Sequence, residues 1–174
     1  MMMEPSIGQF DIHRMIASKP LAYKGEPMWV FDIETWGLDA SAYAFGCAHN
    51  VNTGEERTFF SAEAMREFLE LQALESPTGT CVVYAHNGSR YDTLKVASGT
   101  RIFELEPRYY ENGEWFDKGV KYRDSKHLLS LPLSDLAVSV GMAKGITPQA
   151  YIDGTPRPIT DEDIEYCLLD CRIL

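Results

Sequence analysis

Met28-Trp29-Val30-Phe31-Asp32-Ile33-Glu34-Thr35 is the stretch on which the fold turns. It opens as a short run of apolar, aromatic and β-branched residues, the pattern of a buried strand. Gly37 breaks it. Asp32 and Glu34 stand two apart at the strand's end, and alternate side chains of a strand share a face. Two acids on one face repel, and beside a core they are costly unless a cation joins them. A hard divalent ion held by oxygen ligands meets that need. A strand end emerging into water with both acids hydrated would read the same, so the pair needs company.

Working outward, Tyr43 to Val51 predicts a second strand and Arg57 to Phe60 a third. The turn-rich Asn50-Val51-Asn52-Thr53-Gly54 between them predicts a hairpin. Ser61 can cap a helix with Glu63 in its first turn. Met65, Phe68, Leu69, Leu71 and Leu74 form its apolar stripe, and Pro77 and Gly79 stop it. Cys81 to Ala85 reads as another buried strand. Arg101 to Lys126 reads as an inserted β-hairpin, with Asn112-Gly113 as its turn signal. The flanking Tyr109, Tyr110, Trp115 and Phe116 read as cross-strand pairs before they read as a base-stacking surface. Ser134 to Met142 predicts a short helix. Thr160-Asp161-Glu162-Asp163 approximates a capping box. It opens a helix through Ile164, Cys167, Leu168 and Cys171 that still runs at Leu174. Pro5, Pro20, Gly25 and Pro27 mark residues 1–27 as an N-terminal extension. This order predicts an α/β fold: a mixed β-sheet flanked by helices, over residues 28–174.

Composition bounds the function. The chain has 174 residues, 45% of them apolar, enough for one domain with a sizeable core. Its 16 basic and 26 acidic residues give a net charge of −10. That excludes a histone-like binder, but not a nucleic-acid enzyme whose bound metal ions meet the phosphates. Residues 101–127 hold six basic and six acidic residues, against seven and thirteen in 1–100, so the neutral segment is the predicted contact for a polyanion. The longest stretch free of Asp, Glu, Lys and Arg is fifteen residues, Ala40 to Gly54; a membrane helix needs about 20 apolar residues. The N-terminus MMMEPS lacks the parts of a signal peptide. The expectation is a soluble, cytoplasmic protein with no membrane partner. Cys47, Cys81, Cys167 and Cys171 form no CxxC pair and predict buried, reduced thiols. Cys167 and Cys171 share a helix face.

Two further motifs join Asp32 and Glu34. Tyr84-Ala85-His86-Asn87-Gly88-Ser89-Arg90-Tyr91-Asp92 leads an apolar strand into a polar turn that ends on an acid. Tyr166 and Asp170, four apart, share one helix face. A capping Asp92 and an amphipathic helix would each explain one motif alone. Their joint occurrence in this order is harder to obtain by chance.

Asp32-Ile33-Glu34, Asn87-x-x-x-Tyr91-Asp92 and Tyr166-x-x-x-Asp170 resemble the three motifs of the DEDD 3′→5′ exonucleases, which have a ribonuclease H-like fold. They most resemble the proofreading domain of family B DNA polymerases. The stretch Asp124-Ser125-Lys126-His127-Leu128-Leu129-Ser130-Leu131-Pro132-Leu133 and Ala143-Lys144-Gly145 are similar to the protein-primed replicases of phages and linear plasmids. The resemblance covers about residues 28–174. Glu165 stands where another subclass carries His, which favours the tyrosine subclass. No polymerase motif follows Asp170, so the resemblance reads as an excised exonuclease domain or a free-standing relative. In a phage- or plasmid-encoded protein the site of action would be the host cytoplasm.

The resemblance implies two divalent ions, Mg²⁺ or Mn²⁺, about 3.5–4 Å apart, stabilising the attacking and leaving oxygens of an in-line displacement. Asp32 would bridge them, Glu34 and Asp170 would complete one site, and Asp92 would support the second through water. Tyr166 would orient the attacking water. Thr35 would meet the terminal nucleotide, Asn87 and Tyr91 would hold and stack the single strand, and Ser125 would contact its backbone. Lys144 would approach the scissile phosphate; a solvated loop lysine would read alike. His86 reads as a structural hydrogen-bond donor and His127 as a loop residue. The implied partners are a single-stranded DNA 3′ end and a polymerase domain or subunit. Two other functions fit the residues: an exoribonuclease of the same fold, and a non-catalytic nucleic-acid-binding or interaction module. The intact acids and Tyr166 weigh against the second.

Overall fold

The computed structural model describes residues 25–37, 42–97 and 114–174. Along the chain these form β1 (Met28–Trp36), β2 (Ala42–Asn50), β3 (Glu56–Phe59), α1 (Ala62–Glu75), β4 (Cys81–Ala85) and α2 (Asp92–Ala97). Then follow β5 (Glu114–Asp117), β6 (Val120–Asp124), a 3₁₀ turn at Ser125–His127, α3 (Leu133–Ser139), α4 (Gln149–Asp153) and α5 (Asp161–Ile173). The strands form one six-stranded mixed sheet in the order β3-β2-β1-β4-β6-β5. β1, β4 and β6 run parallel, and β2, β3 and β5 run antiparallel to their neighbours. This is the α/β mixed sheet flanked by helices that the motif order predicts.

Period-two alternation in β1 divides the core. Trp29, Phe31 and Ile33 face α1, packing with Met65, Leu69 and Ala73. Val30 faces the other side, with Phe45, Cys47, Cys167, Leu168 and Cys171 of β2 and α5. Asp32 shares the parity of Val30, so it points toward α5. Burying these aromatic and aliphatic groups, at about 25 cal/mol per Å² of apolar surface, is the main force holding helices to both faces.

The helix after Ser61 buries Met65, Leu69 and Ala73. Leu71 and Leu74 of the predicted stripe are exposed. The buried stripe is narrower than the periodicity predicts: α1 rests one face on the sheet, and Ala73, not Leu74, falls on it. The hairpin also differs from expectation. It turns at Lys118-Gly119, both with positive φ (47° and 84°), the geometry of a two-residue hairpin turn matched to strand twist. Both strands belong to the main sheet. Trp115 pairs with Tyr122 across it and is buried, while Phe116 is exposed. Asn112-Gly113, Tyr109 and Tyr110 lie outside the described residues, as do residues 1–24 of the predicted extension. Glu26 is buried and accepts from Lys121 Nζ at 2.7 Å.

Helix α5 begins on a true capping box. Thr160 Oγ1 accepts from Asp163 N–H at 3.3 Å, and Asp163 Oδ2 accepts from Thr160 N–H at 2.8 Å. The Arg157 guanidinium donates to both Asp163 carboxylate oxygens, at 2.6 and 2.7 Å. These bonds hold the Asp163 carboxyl down at about 2. A carboxylate depressed in the folded state stabilises the fold above its ordinary pKa and loses that contribution as pH falls through the folded value. Asp163→Asn is therefore expected to lower stability by about 2 kcal/mol at neutral pH. Urea unfolding across a pH series should show the gap between variant and wild type closing between about pH 4 and pH 2.

Candidate active site

Three parallel strands deliver their carboxyl ends to one edge of the sheet, where ligands of open α/β sheets bind. Register does the alignment: Val30 lies opposite Tyr84, and Tyr84 opposite Arg123. Beyond these positions β1 supplies Asp32 and Glu34, β4 runs into the His86–Asp92 turn, and β6 ends on Asp124. A β-bulge falls immediately past Glu34, between Glu34 and Thr35.

β1 outlasts β4, so its backbone needs another partner there. Asp92 provides it: Ile33 N–H donates to Asp92 Oδ1 at 3.1 Å, across 59 residues. From the opposite face α5 brings Tyr166 and Asp170. Together these elements enclose a cleft of about 450 Å³ lined by Asp32, Glu34, Thr35, Asn87, Tyr91, Asp92, Tyr166 and Asp170, and also by His86, Thr147 and Tyr151. Eight of the ten residues anticipated for the site line this one cleft. Lys144 stands at its flank, donating to Asp170 Oδ2 at 2.5 Å and Tyr166 OH at 3.2 Å. Ser125 lies outside the lining and joins it through His86, whose Nδ1 is 3.0 Å from Ser125 Oγ.

Burial and mutual repulsion act on the acids. Burial first, then Asp92, Glu34 and Asp170, pushes Asp32 well above the usual carboxylate range. Burial, then Asp170 and Asp92, lifts Glu34 to about 8. Burial lifts Asp92 to about 7 although backbone N–H groups oppose it. Burial raises Asp170 too, with Lys144 pulling the other way. Asp170 Oδ1 is buried and has no hydrogen-bond partner among the described residues. The donor set suits a divalent cation: clustered carboxylate oxygens, one of them orphaned, with an ammonium already drawn to Asp170. Asp32, Glu34 and Cys167 each present a ligand atom within 4.8 Å of the other two.

The turn that carries Asn87 and Tyr91 is organised by a residue whose part the sequence did not reveal. Asp124 Oδ1 accepts from Asn87 N–H (2.9 Å) and Lys126 N–H (2.9 Å); Oδ2 accepts from Ser89 N–H (3.1 Å) and Ser89 Oγ–H (2.6 Å). Asn87 sits at φ 58°, in the left-handed region that Asn tolerates. Tyr91 is half exposed at the cleft mouth. The Tyr166 hydroxyl is gripped by Lys144 and by Thr147 Oγ1, 2.9 Å away. Gly145 permits this approach, since a Cβ there would lie 2.8 Å from the Tyr166 ring. Thr147 carried no signal in the sequence, because nothing local marks a loop threonine as facing a helix nineteen residues on. His86 has the structural bonding read from the sequence, yet it also lines the cleft.

No family model and no curated protein matches the chain. Its fold is similar to solved structures of Phi29 DNA polymerase. One is complexed with single-stranded DNA (TM-score 0.56). The other is a ternary complex with primer-template DNA and incoming nucleotide substrates (TM-score 0.55). In each the identity is 16%, and the match covers 85% of this chain but 30% of the polymerase chain. The likeness is one of fold. Among the described residues, no helix is long and apolar enough to cross a membrane.

The raised acids carry a pH signature. A carboxyl whose folded pKa is raised leaves stability intact below its unfolded value and removes it as pH climbs through the folded one. With Glu34 near 8 and Asp92 near 7, the metal-free protein is expected to lose stability steadily from about pH 4 to about pH 8. Thermal melts in chelator should show this slope, reduced in Asp92→Asn. Added Mg²⁺ should raise the melting temperature most at the alkaline end.

Proposed function

We propose that this protein is a divalent-metal-dependent 3′→5′ exonuclease of the tyrosine DEDD subclass, acting on single-stranded DNA ends as a proofreading activity. One observation carries the reading: Asp32, Glu34, Asp92 and Asp170, drawn from β1, α2 and α5, line one cleft where burial and repulsion call for a cation. The fold likeness supports it, because the similar polymerase was solved with single-stranded and primer-template DNA. The chain spans 30% of that polymerase's length, so a polymerase domain or subunit is the proposed partner.

Asp32, Glu34, Asp92 and Asp170 would hold two divalent ions, Mg²⁺ or Mn²⁺. Bound there, the ions supply Lewis-acid stabilisation to the attacking and leaving oxygens of phosphodiester hydrolysis. The chain's own groups do the positioning. The Tyr166 hydroxyl, itself fixed by Thr147 and Lys144, orients the attacking water. Tyr91, exposed at the mouth, stacks a base; such stacking contributes about 1–3 kcal/mol per base. Asn87 and Thr35 hold the terminal nucleotide, and Ser125, steadied by His86, contacts the backbone upstream. The Lys144 ammonium offsets phosphate charge near Asp170.

The test uses a 5′-labelled DNA oligomer, a matching RNA oligomer and a 3′-blocked DNA control. The expected result is a ladder of 3′-shortened DNA products in Mg²⁺, none in chelator and none from the blocked end. Products only from RNA would replace DNA by RNA as the substrate, and no metal-dependent product from either would refute the nuclease reading.

Tyr166→Phe keeps the ring against Gly145 and removes only the hydroxyl. Single-turnover cleavage is expected to slow by about 10²-fold, with Mg²⁺ dependence and melting temperature nearly unchanged. A wild-type rate would take Tyr166 out of the reaction. Asp32→Ala is expected to abolish cleavage while single-strand binding persists weakly.

A further inference from the structure

Beneath the Asp32 carboxylate lies a group that the proposed hydrolysis does not use. Cys167, one residue past Tyr166 on α5, is fully buried. Its Sγ lies 3.6 Å from Asp32 Oδ2. With Asp32 and Glu34 it forms a set of three ligand atoms all within 4.8 Å of one another. A tetrahedral ion bound to sulfur at about 2.3 Å and to oxygen at about 2.1 Å would hold those two donors about 3.6 Å apart. The Cys167–Asp32 edge already has that length. A second observation points the same way. Asp170 lies three residues beyond Cys167 on α5 and lines the same cleft. Its Oδ2 takes the Lys144 ammonium, but its buried Oδ1 has no partner among the described residues, an unspent carboxylate donor in the cleft that Asp32 and Glu34 line.

We propose that Asp32, Glu34 and Cys167 form a binding site for a thiophilic divalent cation of the Zn²⁺ or Cd²⁺ class, overlapping the site for hard ions. The proposal rests on reading this cleft as a divalent-metal centre. A hard ion such as Mg²⁺ takes the carboxylate oxygens and gains nothing from sulfur. A borderline or soft ion gains a thiolate ligand from Cys167. As the metal–sulfur bond forms, the thiol proton leaves to solvent, and the ion stays divalent throughout. A thiophilic ion held this way occupies Asp32 and Glu34, so it competes with Mg²⁺ and makes the site a target for zinc inhibition.

The other thiols serve as controls. Cys171 Sγ donates to Cys47 O at 3.5 Å, and Cys47 Sγ lies 3.7 Å from Thr58 Oγ1. Cys81 donates to Leu69 O on the far side of the sheet.

The experiment titrates the chelator-treated full chain with Cd²⁺ and reads the ultraviolet sulfur-to-cadmium charge-transfer band. The wild type is expected to show a band that saturates. It should vanish in Cys167→Ala, persist in Cys81→Ala, and move to more than about tenfold higher Cd²⁺ in Asp32→Asn. No band in the wild type, or a band retained in folded Cys167→Ala, overturns the proposal. Should Cys167→Ala fail to fold, X-ray absorption of the Zn²⁺-loaded wild type decides: a sulfur neighbour at about 2.3 Å supports the site, and a shell without sulfur overturns it. The readout separates the two readings. A chain that cleaves DNA with Mg²⁺ but shows no sulfur ligand refutes only this proposal. A chain with the sulfur ligand and no cleavage refutes only the nuclease.

Discussion

Four carboxylates share one cleft, and their mutual repulsion is the constraint around which the molecule is arranged. Asp32, Glu34, Asp92 and Asp170 are each buried or half-buried, and each is pushed upward by burial, three of them by one another as well. Burial and repulsion of these carboxylates oppose the fold. The acids stay together because apolar packing elsewhere holds their carriers: Phe31 and Val30 lock β1 between two helical layers, and Leu168 and Cys171 fix α5 to the sheet. Two local devices ease the strain. Ile33 N–H binds Asp92, and Lys144 sits on Asp170 as an internal counter-charge.

Around this cluster, rigid supports surround the groups proposed to touch substrate. Asp124 satisfies three backbone donors at the end of β4 and beyond β6, so the turn from Asn87 to Tyr91 is tied to the sheet instead of floating above it. The capping box and Arg157 fix where α5 starts, and thereby how far Tyr166 and Asp170 reach into the cleft. Tyr91, by contrast, is left half exposed. Such a division suits chemistry that needs fixed oxygens at the bottom and an adaptable contact for a flexible strand at the mouth.

The sequence made much of this legible, and the misses have physical reasons. Strands β1, β2 and β4 and helix α5 were readable because alternation, caps and apolar runs are local signals. Leu71 and Leu74 are exposed although they fall in the apolar stripe, since periodicity gives a stripe's direction but not the width of the surface waiting for it. The turn at Lys118-Gly119 leaves little signal in the sequence because lysine is an uncommon residue at positive φ. Helix α4, only five residues long, carries Tyr151 onto Trp36 with ring centroids 4.9 Å apart; a helix so short has too little periodicity to be read. Thr147 and Asp124 act through contacts with segments 19 and 35–37 residues away.

By itself, the sequence determined which residues could share a face: Asp32 with Glu34 on a strand, Tyr166 with Asp170 on a helix. Those pairings follow from the repeat of each backbone and need no other segment. Through composition it also excluded a histone-like binder, since the chain carries a net charge of −10. Only the tertiary structure decided that the three motifs meet, that Lys144 and Thr147 grip the Tyr166 hydroxyl, that a hydrogen bond with His86 links Ser125 to the cleft, and that Cys167 lies under Asp32. The reason is that side-chain periodicity is set by neighbours in the chain. Convergence is set by strand register and helix docking, which depend on how the whole core packs.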